Sequence, residues 1–158
     1  MSMQTFDMTQ EGVNALKEEL EHRKVVLRSE IGERIKVALG YGDLSENSEY
    51  DEAKQAQADN EQRIQEIEAI LKNARVIEAH EISSNQVTLG SKVTLLDLDF
   101  DEELNYTLVS AQEEDIFAGK ISSESPVGLA IIGKGRGEEV EVKTPVGMSH
   151  YKIVDINK

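Results

Sequence analysis

The first half of the chain has the apolar spacing of a long amphipathic helix. Thr9 can cap this helix, because its hydroxyl can accept a hydrogen bond from an otherwise unpaired backbone N–H. The pattern stops at Gly40-Tyr41-Gly42-Asp43, whose glycines are typical of a helix end and a tight reversal. Up to that point the apolar positions follow three-, four- and seven-residue spacing, at Val13, Leu16, Leu20, Leu27, Ile31, Ile35 and Ala38.

A second helix is predicted directly after the reversal, with a stricter pattern. Its stripe alternates steps of three and four residues, which is a heptad repeat. Two antiparallel helices joined by a short turn form a hairpin in which each buries its stripe on the other. At about 30 residues per arm the hairpin would be a rod of roughly 45 Å. The stripe consists of Tyr50, Ala53, Gln57, Asn60, Ile64, Ile67, Leu71 and Ala74.

The second half of the chain changes to a period of two, which is typical of half-buried antiparallel strands. Ser125 and Pro126 predict the start of one short helix, and Gly133 predicts its end. The fold class is therefore α+β, with a coiled-coil hairpin over 1–77 and a small antiparallel sheet domain with one short helix over 78–158. The alternating positions are Val93/Leu95, Leu104/Tyr106/Leu108, Val140/Val142 and Tyr151/Ile153.

Composition narrows the classes of function. Of 158 residues only 4% are aromatic, so the core must be mainly aliphatic, and the lack of cysteine excludes disulfides, thiolate zinc sites and thiol nucleophiles. A net charge of −14 leaves only a local patch for binding nucleic acid. The start has no signal-peptide pattern, and no apolar run approaches the roughly 18 residues of a membrane span. We expect a cytoplasmic protein without a membrane partner.

The predicted reversal carries three carboxylates within seven residues, Asp43, Glu46 and Glu49. Hard cations such as Mg²⁺ prefer carboxylate oxygens, and two carboxylates can supply part of a metal shell that a partner and water complete. The same spacing also fits a capping box, with Asp43 as N-cap and Glu46 reaching back from the third helical position. A cap uses one oxygen and leaves the other free, so the two roles are compatible.

The run Gly40–Lys54, GYGDLSENSEYDEAK, closely resembles the tip signature of the Gre family of bacterial transcription elongation factors. The segment MTQEGVNALKEEL near the start also agrees with that family, and so do the pattern Arg63-Ile64…Ile67-Glu68…Leu71…Ala74 and the stretch Ser125-Pro126…Gly133-Lys134. The resemblance is most specific at the tip and looser in the second domain. The acidic charge favours a GreA-like over a GreB-like member.

The resemblance implies that the hairpin enters the secondary channel of bacterial RNA polymerase. Asp43 and Glu46 match the family's tip acids, which help to hold a second Mg²⁺ and a water while the polymerase cuts the 3′ end of backtracked RNA. The chain would then be no enzyme itself and would bind no cofactor alone, since Mg²⁺ would be supplied in the polymerase active centre. The resemblance also implies an FKBP-like second domain that docks at the rim of the channel.

Further residues near the tip have two interpretations each. Asn47 and Tyr50 match family positions beside the acids, but they could equally close the turn and pack on the stripe. Arg34, Lys36 and Lys54 are the cations nearest the tip, and we expect them to contact RNA or polymerase, whereas Lys17, Arg23 and Lys24 fit solvated helix faces. Leu39 stands where the family often has a basic residue. Two rival functions remain open: a channel-blocking inhibitor of the same fold, and a structural coiled-coil adaptor.

Overall fold

The computed structural model describes residues 5–42 and 47–157, and its fold is α+β, as predicted. In chain order the elements are β1 (Phe6–Met8), α1 (Gln10–His22), a π-helical turn (Arg23–Leu27), α2 (Arg28–Leu39), α3 (Ser48–Asn73), β2 (Ala74–Val76), β3 (Lys92–Asp97), β4 (Glu102–Val109), β5 (Lys120–Ser122), α4 (Pro126–Ile131), β6 (Glu139–Thr144) and β7 (Gly147–Asn157). Within these ranges, no helix is both long and apolar enough to cross a membrane.

Residues Val13–Asn73 form a compact helical hairpin unit. Its arms are antiparallel, because contacts that ascend the first arm descend the second: Arg28 binds Glu61, and the Ala38 carbonyl accepts from Asn47. The predicted stripes face inward, with Ile31 and Ala38 buried in the first arm. In α3 the stripe residues Ala53, Asn60, Ile64 and Ile67 are buried, whereas the long polar side chain of Gln57 is exposed.

Both predicted ends of the first arm are confirmed. The Thr9 hydroxyl accepts a hydrogen bond from the Gly12 N–H at 3.1 Å, so Thr9 is the N-cap of α1. At the other end α2 stops at Leu39, and Gly42 adopts a positive φ of 94° that suits a glycine. The π-helical turn between α1 and α2 was not predicted.

The second compact unit contains a five-stranded sheet of order β5-β4-β3-β7-β6. The β4–β5 pair is parallel, so the sheet is mixed and the expectation of a wholly antiparallel sheet needs correction. This edge arises because the chain between β4 and β5 crosses over through short 3₁₀ turns instead of a hairpin. Ser125 caps α4 through the Gly128 N–H, and Gly133 follows the helix with a φ of 80°, as predicted.

The core of this unit is aliphatic, as the composition requires. The predicted alternation holds in β3 and β6, where Val93, Leu95, Val140 and Val142 are all buried. In β7 the buried positions Ile153 and Ile156 are three residues apart instead of two. A register shift opposite Thr94 and Leu95 explains this change, since a bulge moves the following residues to the other face.

The compact units divide the chain differently from the predicted bounds of 1–77 and 78–158. Residues up to Gly12 group with those from Ala74 onward, because β1 pairs in parallel with β2. Arg75 supports this pair from β2, with ion pairs at 2.8 Å to Asp7 of β1 and to Glu81.

Candidate functional site at the hairpin tip

The two predicted catalytic and metal-binding acids, Asp43 and Glu46, lie outside the described residues. The described chain reaches Gly42 on one side and resumes at Asn47 on the other, so the surroundings of the tip can be built from these two sides.

Asn47 joins the ends of the two helices that flank the tip. Its side-chain amide donates to the Ala38 carbonyl at 2.7 Å, near the end of α2. Its side-chain oxygen accepts from the Tyr50 N–H at 3.2 Å, in the first turn of α3. One side chain thus satisfies an otherwise unpaired N–H of α3 and adds a second hydrogen bond to a carbonyl that the Tyr41 N–H also reaches at 3.1 Å, as expected of a residue that closes the turn.

The same contact changes the capping interpretation of the acids. Because α3 begins at Ser48, Asn47 is its N-cap and Tyr50 is its third helical residue. The proposed capping box, with Asp43 as N-cap and Glu46 at the third position, therefore does not apply to α3. The signal for the true cap was in the sequence, since Asn is among the best N-cap residues.

Tyr50 lies on the stripe of α3 and is partly buried, as its heptad position predicts. Tyr41 is much more accessible, with 64% of its surface exposed. The turn therefore carries one tyrosine packed in the hairpin and one facing solvent.

The cations of the hairpin fall into two groups. The arginines farther from the tip and Lys24 are held in ion pairs, some with their own helix and some across the arms, whereas Lys17 and Lys72 have no ion pair within the described ranges. Near the tip the pattern differs: Lys54 donates only to the neutral Gln57 amide at 3.0 Å, and within the described ranges Arg34 and Lys36 have no side-chain partner. The paired contacts are Arg23–Glu19, Lys24–Glu68, Arg28–Glu61, Arg63–Glu19 and Arg63–Glu66.

The three cations predicted to act together do not share one face of the hairpin. Arg34 lines a cleft of about 380 Å³ whose other walls are four glutamates and Val37. Lys36 and Lys54 do not line this cleft, and Lys54 contacts Gln57, which lies on the opposite side beside Arg28. The tip half of the hairpin thus has an acidic side and a side with exposed lysines. The glutamates of the cleft are Glu30, Glu33, Glu49 and Glu52.

A polar layer interrupts the apolar stripe halfway along the hairpin. Asn60, only 3% exposed, donates to the Arg23 backbone carbonyl and accepts from the Arg23 guanidinium, both at 3.1 Å. Glu19 accepts from Arg23 at 2.7 Å and from Arg63 at 3.0 Å. The hydrogen bonds from Arg63 and then Arg23 hold the pKa of Glu19 below its ordinary value.

The heptad pattern placed Asn60 on the stripe of α3, whereas Arg23 was expected on a solvated helix face. The ion pair between Glu19 and Arg23 could be predicted from their four-residue spacing. The contact between Arg23 and Asn60 could not, because it depends on which residues of the two arms lie opposite each other. Among residues 5–42 and 47–157, no three acidic or histidine side chains are arranged to hold a metal ion.

Comparison with known proteins covers nearly the whole chain. Residues 6–76 match the family model "Transcription elongation factor, N-terminal", and residues 82–158 match "Transcription elongation factor, GreA/GreB, C-term". The transcription elongation factor GreA of Clostridium perfringens is 52% identical over the full length of both chains. That of Clostridioides difficile is 51% identical over 97% of this chain and 96% of its own.

Among solved structures, GreA factor homolog 1 of Thermus thermophilus is 29% identical. The match covers 98% of this chain and all of that one, at a TM-score of 0.45.

Proposed function

Because this chain belongs to the GreA/GreB family of transcription elongation factors, we propose that it acts at its hairpin tip, in the secondary channel of bacterial RNA polymerase. There it would stimulate the polymerase to cleave the 3′ end of backtracked RNA and so rescue arrested complexes. Asp43 and Glu46 are the residues that we assign to this activity. The sheet unit would dock on the polymerase outside the channel.

The observation that carries this proposal is the position of Asn47. An acidic residue before a helix usually has a sufficient explanation as a cap. Here Asn47 already caps α3 and also donates to the Ala38 carbonyl at the end of α2, so the cap of α3 does not depend on the acids. Asp43 and Glu46 stand four residues and one residue before this cap in the sequence, and the function that we assign to their charges is to serve a partner.

The donor set fits a borrowed Mg²⁺ and not a resident one. Asp43 and Glu46 offer hard carboxylate oxygens, but two side chains leave most of an octahedral shell to other ligands. The residues of the tip would therefore raise the occupancy of an ion that the polymerase holds loosely. Such an ion supplies charge stabilisation for the attacking water or the leaving oxygen in phosphodiester hydrolysis.

In this division of labour the chain binds, positions and adds charge, and the polymerase performs the cleavage. Tyr50 and Asn47 would hold the tip in shape, since one packs on the stripe and the other clamps both helices. The chain itself would need no bound cofactor.

The test is the cleavage rate of a stalled, backtracked polymerase complex as a function of Mg²⁺ concentration. Asp43→Asn and Glu46→Gln keep size and much of the hydrogen-bonding ability, but they remove the charge that a hard cation needs. We expect both variants to fold, to compete for the polymerase as the unaltered chain does, and to lose most stimulated cleavage. Higher Mg²⁺ should restore part of the rate.

Glu52→Gln is the matched control, because Glu52 is an acid near the tip that lines the cleft on the side of the hairpin. It should keep the cleavage rate. If Asp43→Asn and Glu46→Gln were fully active at low Mg²⁺, the acids would have no role as ligands. If the unaltered chain bound the polymerase but suppressed cleavage, the channel-blocking function would replace the proposed one.

We further propose that Lys36 and Lys54 face the RNA or the polymerase. This proposal is supported by a difference in ion pairing. The Arg28 guanidinium lies 2.7 Å from the Glu61 carboxylate, whereas the Lys54 ammonium donates only to a neutral amide. Arg34 was predicted to join them, but four glutamates share its cleft, so it would meet a phosphate less readily.

Charge reversal separates these residues. Lys36→Glu and Lys54→Glu should each raise the factor concentration needed for half-maximal cleavage more than Arg34→Glu does. The effect should shrink as salt rises from low to physiological ionic strength, since exposed charges are screened. Equal effects of all three reversals would contradict the assignment of Lys36 and Lys54 to one contacting side.

A further inference from the structure

The first arm of the hairpin is interrupted by one wide, π-helical turn, which holds one residue more than an α-helical turn. In the π-helical turn the Arg28 N–H donates to the Arg23 carbonyl, five residues back instead of four. Leu27, the last residue of the turn, is followed by inward positions at Ile31, Ile35 and Ala38. With the wide turn at this place, Ile31 and Ala38 lie on the buried face of the arm.

The location of the extra residue decides which way the tip half of α2 faces. An α-helix turns by about 100° per residue. If the wide turn moved toward the tip, the residues that it passed would rotate by roughly that angle. If the wide turn passed Val37, that side chain would leave the acidic cleft. Lys36 would then also point in a different direction.

Asn60 holds the wide turn where it is. Its amide donates to the Arg23 carbonyl, the same carbonyl that accepts the long-range bond from Arg28. Its oxygen accepts from the Arg23 guanidinium, which Glu19 steadies from the other side. The side chain is 3% exposed, so breaking these bonds would leave a buried amide unpaired.

We propose that Asn60 is a positioning residue for the hairpin tip: it pins the π-helical turn at Arg23–Leu27 and thereby sets the rotational phase of the tip half of α2. A buried Asn that fixes register in a coiled coil, at a cost in stability, is the same physical device. The expected effect of Asn60 on RNA cleavage rests on the function proposed above. Its effect on the rotational phase of α2 does not.

Chemical cross-linking of the full chain measures the phase directly, because the chain has no cysteine of its own. Val37 and Glu49 line the same cleft, and Lys36 does not. With a short bismaleimide, the pair V37C/E49C should therefore cross-link in preference to K36C/E49C. In the Asn60→Leu background this ratio should fall to one or below, because a rotation of roughly 100° moves position 37 out of the cleft and can bring position 36 toward it.

Two further variants make the test specific. Asn60→Asp keeps an acceptor for the Arg23 guanidinium but loses the donor to the Arg23 carbonyl, so its ratio should also fall. Gln57→Leu makes the same amide-to-leucine change one stripe position away, at an exposed site, and should keep the unaltered ratio. If Asn60→Leu loses helix content, the cross-linking ratio of Asn60→Asp alone tests the proposal, because aspartate matches asparagine in size.

The readout on function is cleavage at saturating factor. Asn60→Leu should lower that rate by about 10- to 100-fold, the scale of a small misplacement of catalytic groups. Its competition for the polymerase should stay within about twofold of the unaltered chain, because the same element enters the channel.

The outcomes separate this inference from the proposed function. An unchanged cross-linking ratio in Asn60→Leu and Asn60→Asp overturns the pinning role. A changed ratio with full cleavage overturns the link between phase and activity. If the unaltered chain stimulates no cleavage while the ratio changes, the proposed function fails and the pinning of the turn stands.

Discussion

At the scale of single residues, some carboxylates hold the fold together, whereas we propose that Asp43 and Glu46 serve a partner. Glu81 is a carboxylate of the first kind. Arg75 binds it at 2.8 Å, and the Glu78 N–H donates to it at 3.2 Å. These contacts, with that of Arg75 first, lower the pKa of Glu81 to about 2.

This pKa predicts how stability depends on pH. The pKa is lower in the folded chain than the ordinary value of 4.5, so the folded state favours the ionised carboxylate. The stabilisation is therefore complete above pH 4.5 and is lost as the pH falls toward about 2. The midpoint of urea unfolding should decrease over this window, and Glu81→Gln should make the decrease less steep.

Glu102→Gln is the control, because Glu102 has no ion-pair partner within the described ranges. Its urea midpoint should follow the pH dependence of the unaltered chain. A Glu81→Gln variant that lost stability as steeply as the unaltered chain would show that the Arg75 contact contributes nothing in solution.

Sequence patterns located the residues whose role depends on their neighbours in the chain. Thr9 and Ser125 were predicted as caps and each accepts from an N–H three residues on. Asn47 was assigned to the turn but not as the cap of α3, although its residue type favours that role; its second partner, the Ala38 carbonyl, becomes visible only when the arms pair. The tip acids Asp43 and Glu46 came from a family resemblance, since spacing alone also fitted a capping box.

At the scale of elements, α3 and the strands β3 and β6 followed from periodicity, because each buries one regular face. The π-helical turn did not, since a seven-residue step from Leu20 to Leu27 fits an ordinary heptad as well. The three-residue strands β1, β2 and β5 are too short to show any period. Their pairing depends on contacts between residues far apart in the sequence, such as Phe6 with Ala74.

Two helical glycines predict opposite effects of the same substitution. A Cβ on Gly12 would lie 1.9 Å from the Glu113 carboxylate, whereas a Cβ on Gly32 would meet nothing within 4 Å. Gly12→Ala should displace Glu113 and destabilise the chain by about 1–3 kcal/mol. Gly32→Ala should stabilise it by about 0.5–1 kcal/mol, because alanine loses less freedom in a helix.

The loss of stability expected for Gly12→Ala comes from the hydrogen bonds that the Glu113 carboxylate would have to give up. Its carboxylate accepts from the Thr9 and Ser110 hydroxyls and from both of their backbone N–H groups. Urea unfolding of the full chain measures both variants. The double variant G12A/E113A should unfold no more easily than E113A alone, because the clash has then lost its partner. A Gly12→Ala chain as stable as Gly32→Ala would refute the close approach.

At the scale of the whole molecule, the charge distribution favours an accessory role over an independent enzyme. The chain carries 31 acidic and 17 basic residues, so a free RNA strand meets net repulsion. In the hairpin Arg23, Lys24 and Arg28 form ion pairs with Glu19, Glu68 and Glu61. The exposed Lys36 and Lys54 are a small basic contribution, sufficient to complement an RNA already held by a partner.

The last prediction concerns the chain without its partner. The purified protein should cleave no RNA at physiological Mg²⁺ and should bind Mg²⁺ only weakly by calorimetry. Two tip carboxylates leave most of an octahedral shell unfilled, and the described residues supply no further cluster that could complete it. Adding a backtracked polymerase complex to the same sample should then start cleavage.

The decisive comparison uses the unaltered chain and D43N/E46Q, each with and without polymerase. We expect cleavage only where the unaltered chain and polymerase are present together. Robust hydrolysis by the chain alone, co-eluting with it in gel filtration and absent in D43N/E46Q, would mean that the tip is a complete catalytic site. Hydrolysis that persists in D43N/E46Q would come from a contaminant. The proposed accessory role therefore predicts that these two acids act only where another protein supplies the remaining ligands, as the number of carboxylates at the tip leads us to expect.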